Sequence, residues 1–165
     1  MARRKSRVGT PATVALDRAG VDYSVHAYEH DPAATSYGLE AAAALGLEPA
    51  VVFKTLLVQA DAATVVAIAP VTGDIDLKAV ARAVDAKKAA MADPSAAERL
   101  TGYVVGGISP IGQKTRLRTV IDSSAQELDT MYVSAGRRGV DLSLTPQALA
   151  RVTGADFAPI SRSST

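Results

Sequence analysis

Gly-Gly-Ile-Ser-Pro-Ile-Gly-Gln, at positions 106 to 113, is the stretch best suited to chemistry that needs no reactive side chain. Three glycines and a proline surround one hydroxyl, with no acid, histidine or cysteine among them. Glycine lets the backbone approach a ligand closely, and Pro110 stiffens the turn. A loop of this kind offers N–H groups to an oxygen; the plainer alternative is a tight turn between two strands. Ser109 is a poor hydrolase nucleophile, because G-I-S-P is not the G-x-S-x-G of a strand-to-helix elbow.

Lys54 is the second candidate. It interrupts the apolar run Val51-Val52-Phe53-Lys54-Thr55-Leu56-Leu57-Val58. In a strand it shares a face with Val52, Leu56 and Val58, which ought to be the core face. An unpaired buried ammonium is costly, so Lys54 either snorkels to water at a strand end or lines a pocket and meets a phosphate, carbonyl or carboxylate. His26 and His30, with Glu29 and Asp31 beside them, invite a metal reading. Their spacing suits a helix, but the segment reads as strand and turn and no third convincing ligand follows, so no metal is expected.

The elements that must position these residues are legible from caps and periodicity. Thr10-Pro11 opens a helix that Gly20 stops. Val21 to Tyr28 reads as a strand, Asp31-Pro32 as a turn, and Gly38 to Leu45 as a helix. Val51 to Gln59 and Thr64 to Ala69 read as adjacent strands joined at Asp61. Asp76 caps a helix over Leu77 to Val84, and Asp93-Pro94 opens a short one. Strands follow at Gly102 to Val105, Thr119 to Asp122, Met131 to Ser134 and Val140 to Leu144. Thr145-Pro146 caps a last helix ending near Gly154. Interleaved elements with short hairpin connections imply a mixed α+β domain around one sheet.

A chain of 165 residues fits one domain with a sizeable core. Residues 1–9 read as a basic tail, 10–160 as the domain and 161–165 as a second tail. With no cysteine, disulfides, thiolate metal sites and a protein thiol nucleophile are excluded. MARRKSR is basic but precedes no apolar run, so no secretory signal is expected, and no stretch is long enough to span a membrane. The cytoplasm is the default location. Net charge is +1, so any nucleic-acid contact must come from local patches. Two of these, Lys114 with Arg116 and Arg118, and Arg137 with Arg138, flank glycine-rich turns where a phosphate backbone would find cations.

Taken together, TPA at 10–12, YEHDP at 28–32, FKTLLV at 53–58, MADP at 91–94, TGYVVGGISPIGQK at 101–114 and the turn from Ser134 to Asp141 resemble the YbaK/EbsC family. That family comprises free-standing aminoacyl-tRNA deacylases related to the editing insertion of bacterial prolyl-tRNA synthetases, and the resemblance runs from about Thr10 to Ala158. It implies a compact, partly barrel-like mixed sheet with helices outside. It also implies hydrolysis of cysteine wrongly attached to proline tRNA, with no cofactor. The matching lysine, Lys54, is the family's characteristic pocket residue and would anchor the terminal adenosine or its phosphate.

On that resemblance, Gly106, Gly107 and Ser109 would stabilise an oxyanion while the cysteinyl sulfur attacks its own ester. Tyr28 and Tyr37 would shape the pocket, Asp141 would bind the α-amino group or a ribose hydroxyl, and His30, Ile108, Pro110, Ser134 and Gly136 would complete the substrate site. Lys114, Arg116, Arg137 and Arg138 would meet the tRNA. The expected partners are aminoacyl-tRNA and prolyl-tRNA synthetase, with no membrane and no DNA. Tyr37 stands where relatives commonly carry phenylalanine, Thr115 where a second lysine is frequent, and Ala135 in a turn that often has two adjacent glycines. Alanine would be strained there if the position demands positive φ. Two rivals remain at this level: a deacylase for another small residue such as alanine, and a non-catalytic tRNA- or synthetase-binding module.

Overall fold

The structure, a computed structural model, describes residues 9–163. Apart from Gly9, the expected N-terminal tail lies outside the described residues, as do 164–165. Among the described residues there are five α-helices: α1 (Pro11–Ala19), α2 (Tyr37–Leu45), α3 (Leu77–Ala83), α4 (Pro94–Thr101) and α5 (Pro146–Thr153). Each starts where a short polar side chain takes up an orphan N–H of the first turn: Thr10, Ser36, Asp76, Asp93 and Thr145 accept from the third residue beyond them. Thr10 does more, donating its hydroxyl to the Ala135 carbonyl at 2.6 Å.

The same residues form ten strands: β1 (Ser24–Ala27), β2 (Phe53–Ala60), β3 (Ala63–Pro70), β4 (Gly73–Ile75), β5 (Ala89–Met91), β6 (Thr119–Asp122), β7 (Met131–Arg137), β8 (Val140–Leu144), β9 (Asp156–Ala158) and β10 (Ser161–Ser163). They form a five-stranded sheet in the order β5-β2-β3-β6-β9, a three-stranded sheet β1-β8-β7 and a two-stranded ribbon β10-β4. The β3–β6 and β6–β9 pairs are parallel and the other strand pairs antiparallel. The fold is therefore mixed α+β as expected, but built on three open sheets and not on one sheet or a closed barrel. A parallel bridge between Val52 and Tyr132 is the seam joining the larger sheets.

The central strands are apolar on both faces, because both are covered. Phe53, Leu57, Val66, Ile68 and Ile121 join Leu16, Met131, Leu142 and Leu149 in the larger core. The opposite face sends Val58, Ala60, Val65, Ala67 and Val120 against Val80 of α3 and against Ile160. No helix among the described residues is long and apolar enough to cross a membrane.

Two expectations change. Gly102 to Val105 is not a strand: Gly102 takes a left-handed conformation at φ 80°, ends α4, and sends the chain into turns. Ser161 to Ser163, expected as tail, pairs with Ile75 to Gly73. Short edge strands of this kind carry little periodic signal, and their pairing is decided by distant partners.

Candidate active site

A cleft of ≈ 390 Å³ opens between β2, the N-terminal end of α2, the start of α4, the glycine loop and the β7–β8 hairpin. Of the residues expected to bind substrate, Tyr28, Tyr37, Lys54, Gly106, Ile108, Ser134 and Asp141 line it. Lys54 is the one cationic side chain of that lining and Asp141 the one acid, and the lining contains no histidine.

Lys54 lies on the side of β2 that, further along, buries Val58 and Ala60. It is half-buried, and its Nζ donates to the Gly73 carbonyl at 2.9 Å. Lys54 therefore lines the cleft, and the backbone carbonyl that holds its amine comes from outside that lining. Gly73 belongs to β4 and has no side chain, so nothing in the sequence marked it as the partner.

Asp141 and Ser134 face each other across the β7–β8 pair. Asp141 is 6% exposed, and burial pushes its carboxyl up to about 7. Tyr28 beside it is pushed up to about 12 by burial, then by the Asp141 and Glu40 charges. The cleft thus holds a carboxyl whose ionised form gains from a cationic guest.

The glycine loop has its own geometry. Gly106 sits at φ 90°, and a Cβ on it would lie 2.7 Å from Arg138 Nε and 2.9 Å from Tyr37 Cζ. A Cβ on Gly107 would strike the Arg137 backbone at 2.6 Å. The loop is therefore glycine because the hairpin and α2 press against it. Its donors differ from expectation. The Gly107 N–H is already committed to the Val104 carbonyl at 2.9 Å. Those of Gly106 and Ile108 make no hydrogen bond to the other described residues. Ser109 is fully buried and outside the lining; its Oγ accepts from the Ile111 N–H at 3.3 Å. It shapes the turn and offers no hydroxyl to the cleft.

Other expected residues fall outside the lining. Pro110 and Arg116 border a second hollow of ≈ 260 Å³ between α1 and α5. Gly136, at φ 114°, packs against Tyr103 and Thr10. The positive φ values of that turn fall on Gly136 and Gly139 and not on Ala135, so the alanine carries no strain. His30 Nδ1 pairs with Glu40 Oε1 at 2.8 Å, and its ring lies 5.8 Å from that of Tyr37. His26 turns elsewhere, to Ser143 Oγ at 2.9 Å. Among the described residues no group of three or more metal-ligating side chains is placed to hold an ion.

Comparison with known proteins fits this geometry. The family model described as the aminoacyl-tRNA editing domain matches residues 30–152. A protein of Enterococcus faecalis (strain ATCC 700802 / V583) carrying the provisional name Cys-tRNA(Pro)/Cys-tRNA(Cys) deacylase EbsC is 34% identical over 163 residues, 97% of this chain and 98% of its own. The fold is shared with a crystal structure described provisionally as a trans-editing enzyme for prolyl tRNA synthetase. The two agree with a TM-score of 0.79 at 24% identity, over 94% of this chain and 99% of that one. A further crystal structure, of a hypothetical protein, superposes with a TM-score of 0.83 at 22% identity, over 93% and 100% of the two chains. With the family's pattern running through the very loops that wall the cleft, the chain belongs to the aminoacyl-tRNA editing domains of the YbaK/EbsC family.

Proposed function

We propose that this protein is a trans-editing deacylase that removes cysteine from Cys-tRNA(Pro), with prolyl-tRNA synthetase as its partner. The observation that carries the reading is the composition of the cleft. One amine and one carboxyl line it, the amides of Gly106 and Ile108 make no hydrogen bond to other described residues, and its lining includes no histidine and no cysteine. Such a site holds and polarises an ester, and among the described residues its lining has no hydrogen-bonded base–nucleophile pair to attack it: the Ser134 Oγ accepts from the Gly136 N–H and is not bonded to Asp141.

An aminoacyl ester is already activated, and cysteine brings its own nucleophile. The thiol sulfur bonds to the ester carbonyl carbon, the bond to the ribose oxygen breaks, and the thiol proton ends on that oxygen. Water then opens the resulting β-thiolactone to free cysteine. The protein contributes position and electrostatics. Lys54 anchors the adenosine end, Asp141 takes the α-ammonium group, Tyr28 and Tyr37 bound the pocket, and the loop amides receive the developing oxyanion. The EbsC relative's name supports the choice of cysteine.

The test is a deacylation panel with Cys-, Ala- and Ser-tRNA(Pro). Serine nearly matches cysteine in size, but its hydroxyl is a far poorer nucleophile than a thiol partly ionised near neutral pH. The seryl ester should react at least about 100-fold more slowly. Lys54→Ala should abolish most of the activity on Cys-tRNA(Pro) while leaving the thermal transition in place. Equal rates on the cysteinyl and seryl esters would send the chemistry back to a protein-held water.

A further inference from the structure

Arg138, expected to meet tRNA phosphate, is exposed and also engages part of its guanidinium within the protein. Nε and Nη2 both donate to the Val105 carbonyl, at 2.9 and 2.5 Å. The same group lies over the Tyr37 ring, 5.1 Å from its centroid. On the other side of the Val105 residue, its N–H donates to Glu98 Oε2 at 2.7 Å. Val105 is thus gripped at both ends, by an acid from α4 and a base from the β7–β8 hairpin. It is the residue that enters the glycine loop, immediately before the Gly106 amide, which makes no hydrogen bond to another described residue.

The hairpin is built to deliver this contact. The register of β7 on β8 shifts between Ser134 and Arg137, and such an irregularity re-aims the side chains that follow it. Gly106 lacks a Cβ where the guanidinium and the Tyr37 ring would collide with one. One cation therefore ties together three walls of the cleft: the loop through Val105, α2 through Tyr37, and its own hairpin.

We propose that Arg138 and Glu98 are positioning residues that clamp the Val105 peptides and so aim the Gly106 amide into the cleft. Neither touches the reacting atoms. The inference deepens the deacylase reading and rests on it for its catalytic consequence, but the clamp itself can be tested without substrate. Lysine in place of Arg138 keeps the charge but loses the paired donors and the planar stack on Tyr37. Glutamine in place of Glu98 keeps an acceptor for the Val105 N–H, and alanine does not.

The experiment has two arms on the intact chain. The first measures amide hydrogen exchange across residues 104–109 with no tRNA present. Arg138→Lys and Glu98→Ala should speed exchange there about tenfold or more, and Glu98→Gln should stay near wild type. The second measures single-turnover deacylation of Cys-tRNA(Pro) beside tRNA affinity. Arg138→Lys should lose about 10- to 100-fold in rate at saturation, the scale of a small misplacement, with affinity and its salt dependence unchanged. Unchanged exchange in Arg138→Lys overturns the clamp, whatever the protein's activity. A full rate in Arg138→Lys, with Arg138→Ala losing only affinity and salt slope, also overturns it and returns Arg138 to a phosphate contact. If the wild type deacylates nothing, the deacylase reading fails while the exchange arm still decides the clamp.

Discussion

Asp141 carries a cost that its place in the cleft explains. Its carboxyl titrates near 7 in the fold because it is buried, against an ordinary value of 3.8. Between those values the unfolded chain releases its proton and the folded chain keeps it. Ionisation therefore favours unfolding: this contribution to stability is whole below about pH 4, falls as the pH rises, and is lost above about 7. The ceiling is on the order of 4 kcal/mol. Asp141→Asn should leave the melting temperature little changed at pH 4 and raise it at pH 8, while binding of the aminoacyl end weakens. A melting curve against pH with the same slope in both proteins would show that the carboxyl is solvated. Lys54 could be singled out from sequence because a charge in an apolar strand is conspicuous. Its anchor could not, since the Gly73 carbonyl is chemically like any other and only the fold brings it within 2.9 Å. For Ser109 the burial of the hydroxyl is likewise invisible in the sequence, since which way a side chain turns within a glycine loop is decided by the fold.

At the scale of elements, the glycine loop and the hairpin behave as one unit. A Cβ on Gly107 would meet Arg137 Cα, Arg137 C and Arg138 N at 2.6 to 2.8 Å, all backbone atoms that cannot swing aside. Gly107→Ala should cost about 2 kcal/mol or more, near 5 °C in melting temperature, by prising the hairpin from the loop. Thermal melting checks it, and an unchanged transition would mean the two elements are not held in this contact. Helices were the readable part of the chain, because capping is local: Thr10, Asp76, Asp93 and Thr145 each sit beside the turn they serve. The long strands β2 and β3 were readable from their apolar runs. By contrast β4, β5, β9 and β10 are three residues each and exist through partners far along the chain. The stretch after Gly102 looked like a strand from Tyr103, Val104 and Val105. In the fold Tyr103 is buried with its hydroxyl on the Ile111 carbonyl, and Val105 is held by its peptide groups.

For the molecule as a whole, a net charge of +1 leaves no general attraction for polyanions. Arg137 and Arg138 are both exposed, but Arg138 spends two donors on the Val105 carbonyl, so Arg137 is the cation of the hairpin better placed to meet a phosphate. Arg137→Ala should weaken tRNA binding and lower the slope of log affinity against log salt by about 1, without slowing the bound-state reaction. Salt titrations of wild type and variant check this; identical slopes would place the phosphates elsewhere. The ribbon β10–β4 has a consequence for anyone who handles the protein. Ser163 pairs with Gly73, the residue whose carbonyl steadies the Lys54 amine. Strand β10 thereby tethers the strand that holds the Lys54 amine. A bulky group placed close behind Ser163 would load this pairing, so loss of activity in such a fusion should be compared with the untagged protein before it is assigned to the cleft.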